Sequence, residues 1–399
     1  MKKGLLQCLL VISASFFMYI AEAIEQKPWT FLVYLAGAND LNPFASYDLQ
    51  EMMKVGSNQN INIIVYLTLQ ENGKPKVTKK LYIEKGSMRQ IGAALVRDSG
   101  DVATLKEALE WADVDYPSDH IAVVLWDHGD GPLNRDLLGV AAKGVCYDYD
   151  TGNYLTDRDC LNAFSWARDT LRAGKKLDII AFDACLMSCV EMAYTLSGCA
   201  DYMVASQETI PGDGYQYAYL LAPFLTKSLD PLSFAQFMVS AYKQEYQGTL
   251  DYTLSATDLN AVKLLVSNCK SVAEILTTQL KGKNKAAAKS TIKKCMNSLL
   301  CPSFDRVYID LYQFYKNLLK NVTAFKFSVS IENQLKLLLN SGINLFTQVV
   351  KSNVTSINYQ QAGGLSIYLP SYDIDSSYYA LYWTEKNPYW LNLLEAYLS

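Results

Sequence analysis

An α/β protein built on a mostly parallel sheet is what this sequence predicts, and three observations predict it. Short runs rich in Val, Ile and Leu alternate along the chain with stretches of helical pattern. Two of those runs, Ile121–Trp126 and Leu177–Phe182, are apolar throughout apart from Asp178, which suits strands covered on both faces. Hydrophobic residues make up 50% of the 399, enough for a large core.

The elements follow in order. Thr30–Leu35 and Ile61–Thr68 read as strands with the helical stretch Phe44–Lys54 between them, and Val77–Ile83 as a hairpin or edge strand. Asp101 caps a helix running through Trp111, and the buried strand Ile121–Trp126 follows. Residues 139–155 carry turn formers and aromatic β-formers, and Thr156 then caps a helix to Arg172, with Asp159 near its third position. Leu177–Phe182 leads into a helix near Leu186–Leu196, and Tyr202–Ser206 is a further strand. No internal repeat and no domain break precede about residue 230. Beyond it the pattern turns helical at Ser233–Tyr246, Asp258–Leu280 and Val307–Lys320, with Gly282–Lys294 a solvated helix or linker. Gly364–Leu369 reads as a late strand rejoining the sheet, and the aromatic stretch Tyr378–Leu398 closes the chain.

Charge and composition remove several functions. The net charge is −4 with no Lys/Arg-rich tract, so there is no basic footprint for nucleic acid. Two histidines cannot build a three-histidine zinc site, and there is no His-Glu-x-x-His, Gly-x-Ser-x-Gly or phosphate-loop motif. At the N-terminus, Lys2 and Lys3 precede an apolar run, Leu5–Ile20, and Ala21-Glu22-Ala23 fits a small-x-small cleavage site. That run is shorter than the roughly 20 residues that span a bilayer. Residues 1–23 are therefore expected to be a signal peptide, leaving 24–399 as one exported domain with no stable membrane insertion. Eight of the nine cysteines remain after cleavage, and their spacing does not decide between disulfides and free thiols.

Two strands end in residues that carry chemistry. The first runs into Asp127-His128-Gly129-Asp130-Gly131 and the second into Asp183-Ala184-Cys185. Each puts a reactive side chain just past the carboxyl end of a buried strand, the edge where open α/β sheets bind ligands. The intervening residues suffice for a crossover, so the two ends can lie side by side. A thiol beside an imidazole or a helix N-terminus gains thiolate character and becomes a nucleophile. Cys185, placed where its strand feeds the next helix, is expected to benefit from that helix's positive end. Gly129 permits close backbone approach, and its N–H with that of Cys185 is a candidate oxyanion hole.

At this point the words of the sequence resemble the clostripain family of the caspase-like clan. They are Val33-Tyr-Leu-Ala-Gly-Ala-Asn39-Asp40-Leu, Leu125-Trp-Asp-His-Gly, Phe182-Asp-Ala-Cys-Leu-Met187, Pro211-Gly-Asp213-Gly-Tyr and Gly364-Leu-Ser-Ile-Tyr-Leu-Pro370, in order over residues 29–370. The resemblance implies a caspase-like α/β/α sandwich, with the core at about 29–230 and the extension 231–399 completing it. It implies a cysteine endopeptidase in which Cys185 attacks and His128 protonates the leaving amine. Substrates would be proteins or peptides cut after Arg or Lys, held by Asp183 at the floor of the specificity pocket and by Asp213. Self-cleavage between the two strands is implied, with Lys143 as candidate site and Arg135 as runner-up. No cofactor is needed for the chemistry and no metal ligand is assigned. Calcium use occurs in the family, and Asp148, Asp150, Asp157 and Asp159 are the available oxygens, which a hairpin and a capped helix explain equally well.

The sequence departs from the family where Gln207-Glu208-Thr209-Ile210 precedes Pro211 and where Tyr215 replaces an expected Trp. Two other functions fit the same residues. A transpeptidase would pass the same acyl-enzyme to an amine, and a binding or adhesion protein would keep the fold without turnover. His120, at the opposite end of its strand, is expected to be structural, and Cys189 to pack on the helix after Cys185.

Overall fold

A computed structural model of the chain describes residues 26–70, 74–133 and 144–399. The expected signal peptide and the candidate cleavage residues Arg135 and Lys143 lie outside the described residues. Among those described, no helix is long and apolar enough to cross a membrane.

The strands, in chain order, are β1 (Lys27–Gly37), β2 (Ile61–Leu69), β3 (Val77–Glu84), β4 (Ser87–Leu95) and β5 (Ser118–Trp126). A short ribbon, β6 (Val145–Asp148) and β7 (Asn153–Leu155), precedes β8 (Leu177–Asp183), β9 (Ala200–Ala205) and β10 (Thr253–Asp258). Then come β11 (Ser303–Phe304), β12 (Tyr308–Asp310), β13 (Val350–Thr355) and β14 (Ser366–Tyr368). The main sheet has the order β13-β10-β9-β8-β5-β1-β2-β3-β4. Its five central strands, β9 to β2, run parallel, and antiparallel pairs flank them on both sides.

Both faces of the centre are covered. Leu32, Tyr34 and Ala36 of β1 join Ile121, Val123 and Leu125 of β5 in one core, while Phe31, Val33 and Leu35 join Ala122, Val124 and Trp126 in the other. This two-sided alternation is why these strands read as unbroken apolar runs. The helices, in order, are α1 (Asn42–Val55), α2 (Val102–Asp115), α3 (Asp157–Trp166), α4 (Val190–Leu196), α5 (Tyr217–Leu221) and α6 (Pro231–Tyr246). The later part of the chain adds α7 (Val262–Leu280), α8 (Lys285–Cys295), α9 (Leu311–Lys320), α10 (Val329–Val349), α11 (Tyr382–Lys386) and α12 (Pro388–Leu398). Helices α1, α5 and α6 cover one face, and α2, α3, α4, α7 and the C-terminal helices cover the other, giving the expected three-layer α/β/α sandwich. The caps are those the sequence predicts. Asp101 accepts from Ala103 N, and Thr156 and Asp159 form a reciprocal capping box at the start of α3.

The C-terminal half corrects three expectations and adds a strand that the sequence did not mark. Residues 253–258 form β10, so Asp258 ends a strand rather than opening helix α7, and the Thr253 and Ser255 hydroxyls of that strand are buried by hydrogen bonds. Ser255 Oγ lies 3.0 Å from Ser188 Oγ, and Ser206 Oγ lies 2.9 Å from Thr253 Oγ1. Residues 308–310 are strand β12 before α9 begins at Leu311. The late strand at Ser366–Tyr368 does not rejoin the main sheet but pairs with β12 in a small sheet of its own. The main sheet's edge is taken by β13 instead, whose polar sequence, Val-Lys-Ser-Asn-Val-Thr, suits an edge strand and hides it from a search for apolar runs.

A buried acid ties the extension to the core. Glu191 of α4 is fully buried, its Oε1 accepting from Tyr368 N at 3.0 Å and Tyr378 Oη at 3.1 Å. Burial pushes its carboxyl up to about 7. A raised folded value means that its contribution to stability is full below its ordinary range and is lost as pH rises through about 7. The melting temperature should therefore drop between pH 5 and pH 8, and Glu191→Gln, which keeps the acceptor oxygen, should lose part of that drop. An identical drop in both proteins, measured by circular dichroism, would place the pH dependence elsewhere.

Candidate active site

Strands β5 and β8 are parallel neighbours, with Trp126 paired to Asp183 at their carboxyl ends. The pairing extends one step further, since Asp127 N donates to Asp183 O at 3.2 Å. The next residues of each strand, His128-Gly129 and Ala184-Cys185, therefore emerge side by side, and both His128 and Cys185 line one cleft with Trp126, Asp183, Ile210 and Gly214. Gly129 is what lets the two ends approach. A Cβ there would stand 2.5 Å from Cys185 O and 3.0 Å from Cys185 N. Gly129→Ala must displace backbone at Cys185, and kcat/KM should fall by about 10²-fold, the scale of an ångström-sized misplacement. An alanine variant with unchanged kinetics would remove Gly129 from the site.

Cys185 is half-buried in the turn between β8 and α4. That turn corrects the expected helix effect. Helix α4 begins only at Val190, with buried Cys189 as its N-cap rather than a residue packed within it, and Leu186 takes a left-handed conformation at φ 66°. The polar contact to the sulfur comes from another segment, as Ile210 N donates to Cys185 Sγ at 3.2 Å. Burial pushes the Cys185 thiol up to about 11, the Ile210 amide pulling down and the Glu208 charge adding to the rise.

His128 is held from the other side. Its Nε2 lies 2.7 Å from Asp40 Oδ1, and Tyr149 Oη donates to the same oxygen at 2.9 Å. The imidazole and the Tyr149 ring are within 6° of parallel, their centroids 6.4 Å apart. Burial works against the Asp40 charge, but the bonds from His128 and Tyr149 outweigh it and hold the carboxyl below its ordinary range. Just behind, Asn39 Nδ2 donates to Asp127 Oδ1 at 2.6 Å and to Tyr147 O at 2.8 Å, fixing the loop after β1 to the strand end that carries His128. His120 sits at the other end of β5, its Nδ1 2.7 Å from Asp178 Oδ1, a structural position as expected.

Asp183 is buried and lines the cleft. Its Oδ2 accepts from Tyr215 N and Tyr217 Oη, each at 3.0 Å, while Oδ1 is buried without a hydrogen-bond partner among the described residues. Gly214, at φ 57°, packs on this carboxyl so closely that a Cβ would lie 2.8 Å from Oδ2. Burial pushes Asp183 up to about 7. Buried Asp48 of α1 lies behind, accepting from Trp126 Nε1 at 2.6 Å, and burial with the nearby Asp183 charge raises it too. Asp213 is exposed between the two glycines that line the cleft, Gly212 and Gly214.

The loop that reaches Cys185 is clamped by the C-terminal extension. Gln207 Nε2 donates to buried Asp310 Oδ2 at 3.0 Å, Gly363 N donates to that same oxygen at 2.6 Å, and Gly364 N donates to Gln207 Oε1 at 3.0 Å. Asp310 Oδ1 accepts from Gln313 N at 2.7 Å. Asp310→Ala leaves three donors without an acceptor, two of them buried, so a loss of about 2–4 kcal/mol is expected in urea unfolding. A loss under about 0.5 kcal/mol would mean that the loop does not depend on this clamp.

Of the four acidic residues considered for calcium, Asp148 and Asp150 share Lys76, while Asp157 and Asp159 are taken up elsewhere. Asp148 accepts from Lys76 Nζ at 2.8 Å and Ser99 N at 3.0 Å, and Lys76 also pairs with Asp150 at 3.4 Å. Asp159 is spent in the capping box, and Asp157 accepts from Tyr382 N at 2.8 Å. They do not fit a shared cation cage. The eight cysteines described are free thiols, seven of them buried.

The structure thus brings His128, Gly129, Asp183 and Cys185 together and leaves Asp213 at the rim. Sequence reasoning missed Asp40, Ile210, Gln207 and Asp310. Asp40 lay in plain view beside Asn39 at the end of β1, in the same layer as the two reactive strand ends. The others come from loops and the extension, where no periodicity marks them.

Comparisons with known proteins bear on the family and the fold. Clostripain of Hathewaya histolytica is 25% identical over 335 residues, which cover 73% of this chain and 60% of that protein, so the chain spans well under two thirds of this relative. An inactive zymogen C11 protease from Parabacteroides distasonis superposes with a TM-score of 0.64 at 22% identity, over 91% of this chain and 99% of that one. A secreted C11 cysteine protease from Bacteroides thetaiotaomicron, solved with an irreversible peptide inhibitor, gives 0.63 at 24% identity, over 92% and 99%. The profile of peptidase family C11, the clostripain family, matches residues 33–396, and the chain belongs to that family.

Proposed function

We propose that the protein is an exported cysteine endopeptidase that cuts after Arg or Lys. Cys185 is the nucleophile and forms a thioester acyl-enzyme. His128 is the acid–base partner that protonates the leaving amine, and the N–H groups of Gly129 and Cys185 stabilise the oxyanion. The observation that carries the reading is the cleft itself: a thiol and an imidazole on adjacent strand ends, over a buried carboxylate with one oxygen unpartnered. A buried carboxylate without a cation is what a substrate guanidinium or ammonium satisfies.

Self-processing near Lys143 belongs to the same reading. The described flanks of that segment meet beside the site, Gly144 N donating to Leu133 O at 3.0 Å and Gly129 bridging to Val145. The relative solved as an inactive zymogen supports a chain that matures by cleavage, and the relative described as secreted supports export of this one.

The test follows fluorogenic peptides with Arg, Lys, Asp, Asn or Leu before the scissile bond, with and without calcium, on the protein and on Cys185→Ala. Turnover confined to Arg and Lys and lost in the variant is expected. Turnover after another residue would sink the pocket assignment, and silence from protein cleaved near Lys143 would sink the peptidase. Activity that vanishes on chelation would show a calcium site outside the four carboxylates above.

A further inference from the structure

We propose that Asp40 is a positioning residue for His128, accepting the Nε2 proton so that Nδ1 is the nitrogen presented to the sulfur and the leaving group, with Tyr149 holding Asp40 in place. The inference rests on the peptidase reading for its kinetic consequences, but its structural part does not need turnover.

Three observations converge on it. Asp40 Oδ1 is 2.7 Å from His128 Nε2, a separation short enough for a charge-assisted bond. Tyr149 Oη spends its proton on that same oxygen at 2.9 Å, which fixes the carboxylate although the Asp40 side chain is 62% exposed. Asp40 and Tyr149 come from different segments, the loop after β1 and the loop after β6, and these are tied together by Tyr149 N donating to Ala38 O at 3.0 Å. A neutral imidazole has one N–H, so a carboxylate at Nε2 selects the tautomer with the lone pair on Nδ1. When Nδ1 takes a proton from the thiol, the same carboxylate faces the imidazolium that forms. The proton passes from Sγ to Nδ1 and later from Nδ1 to the departing amine, while the Nε2 proton stays with His128. The other ionisable groups around the imidazole are Tyr149, the adjoining Asp127, and Cys185 across the cleft.

Two histidines make the test direct. In histidine-labelled protein, long-range proton–nitrogen NMR at a pH where His128 is neutral should show its proton on Nε2, with His120 as internal reference. Asp40→Ala should shift the His128 signals toward a mixture of tautomers, and Tyr149→Phe should do so to a smaller degree. In the kinetic arm, Asp40→Ala and Asp40→Asn should lower kcat about 10–100-fold, part of the range that acid–base groups supply. KM should stay within about twofold, and the acid limb of the pH–rate profile should move to lower pH, because the carboxylate no longer stabilises the imidazolium. A His128 tautomer identical in the parent protein and Asp40→Ala, or kinetics and pH profile unchanged in Asp40→Ala, overturns the proposal. A tautomer shift in a protein that cleaves no peptide leaves Asp40 as the positioning residue and overturns the peptidase reading instead.

Discussion

Replacing Cys185 with alanine should lower hydrolysis of an Arg peptide by at least ~10⁴-fold, since removing the nucleophile of a cooperating pair loses nearly all that the pair supplies. The fold should tolerate the change. The side chain is half-buried and loses only the sulfur, whose hydrogen-bond contact is the amide of Ile210, so a stability loss near 1 kcal/mol is expected. His128→Ala should cost less, about 10²–10⁴-fold, because the thiolate can still attack without its acid. The order of the two effects is informative. If His128→Ala were as inactive as Cys185→Ala, proton transfer would control every turnover. If Cys185→Ala kept more than about 1% of the activity, the nucleophile would lie elsewhere.

The second large effect is at Asp183 in the cleft. Asp183→Asn keeps the shape and the acceptor oxygen that faces Tyr215 N and Tyr217 Oη but removes the charge. Truncating one partner of a buried charge pair costs ~2–5 kcal/mol, so kcat/KM for an Arg peptide should fall roughly 10²–10³-fold. The small turnover of a Leu peptide should not change. The pH dependence gives a second reading. Because burial lifts Asp183 to about 7, its carboxylate is lost below that value, and KM for the Arg peptide should improve from pH 6 to pH 8. That improvement should be absent in Asp183→Asn. The stability sign is the reverse: a raised folded value favours the folded state at low pH, and the contribution is lost as pH rises through about 7. Equal falls for Arg and Leu peptides would make Asp183 a support for the Tyr215 loop rather than a specificity residue.

Much of this was legible in the sequence because burial on both faces leaves a plain signature. β1, β2, β5 and β8 carry few polar residues, and the residues that break the runs at their ends, His128 and Cys185, stand out against them. Capping residues such as Asp101 and Thr156 announced their helices for a local reason, a side-chain oxygen placed to take an orphan N–H. What was not legible depends on partners far away in the chain. β10 is buried by hydroxyl pairs reaching Ser188 and Ser206, so its polarity pointed outward while its position is inward. The sulfur's polar partner, the amide of Ile210, belongs to a loop whose clamp, Asp310, lies about a hundred residues on. The expected helix N-terminus at Cys185 failed for a similar reason. The turn from Ala184 to Cys189 is shaped by the left-handed Leu186 and by Leu186 N donating to Glu208 O at 3.2 Å, which no local pattern encodes.

The central claim, that Cys185 is a nucleophile serving a basic-residue pocket, is tested most directly by covalent trapping. The protein would be treated with matched peptidyl acyloxymethyl ketones bearing Arg or Leu, and the adduct located by mass spectrometry of peptides spanning the eight cysteines described. A single adduct on Cys185, from the Arg reagent only and formed more slowly in His128→Ala, is the predicted result. Adducts spread over several thiols, or equal labelling by the Arg and Leu reagents, would contradict it.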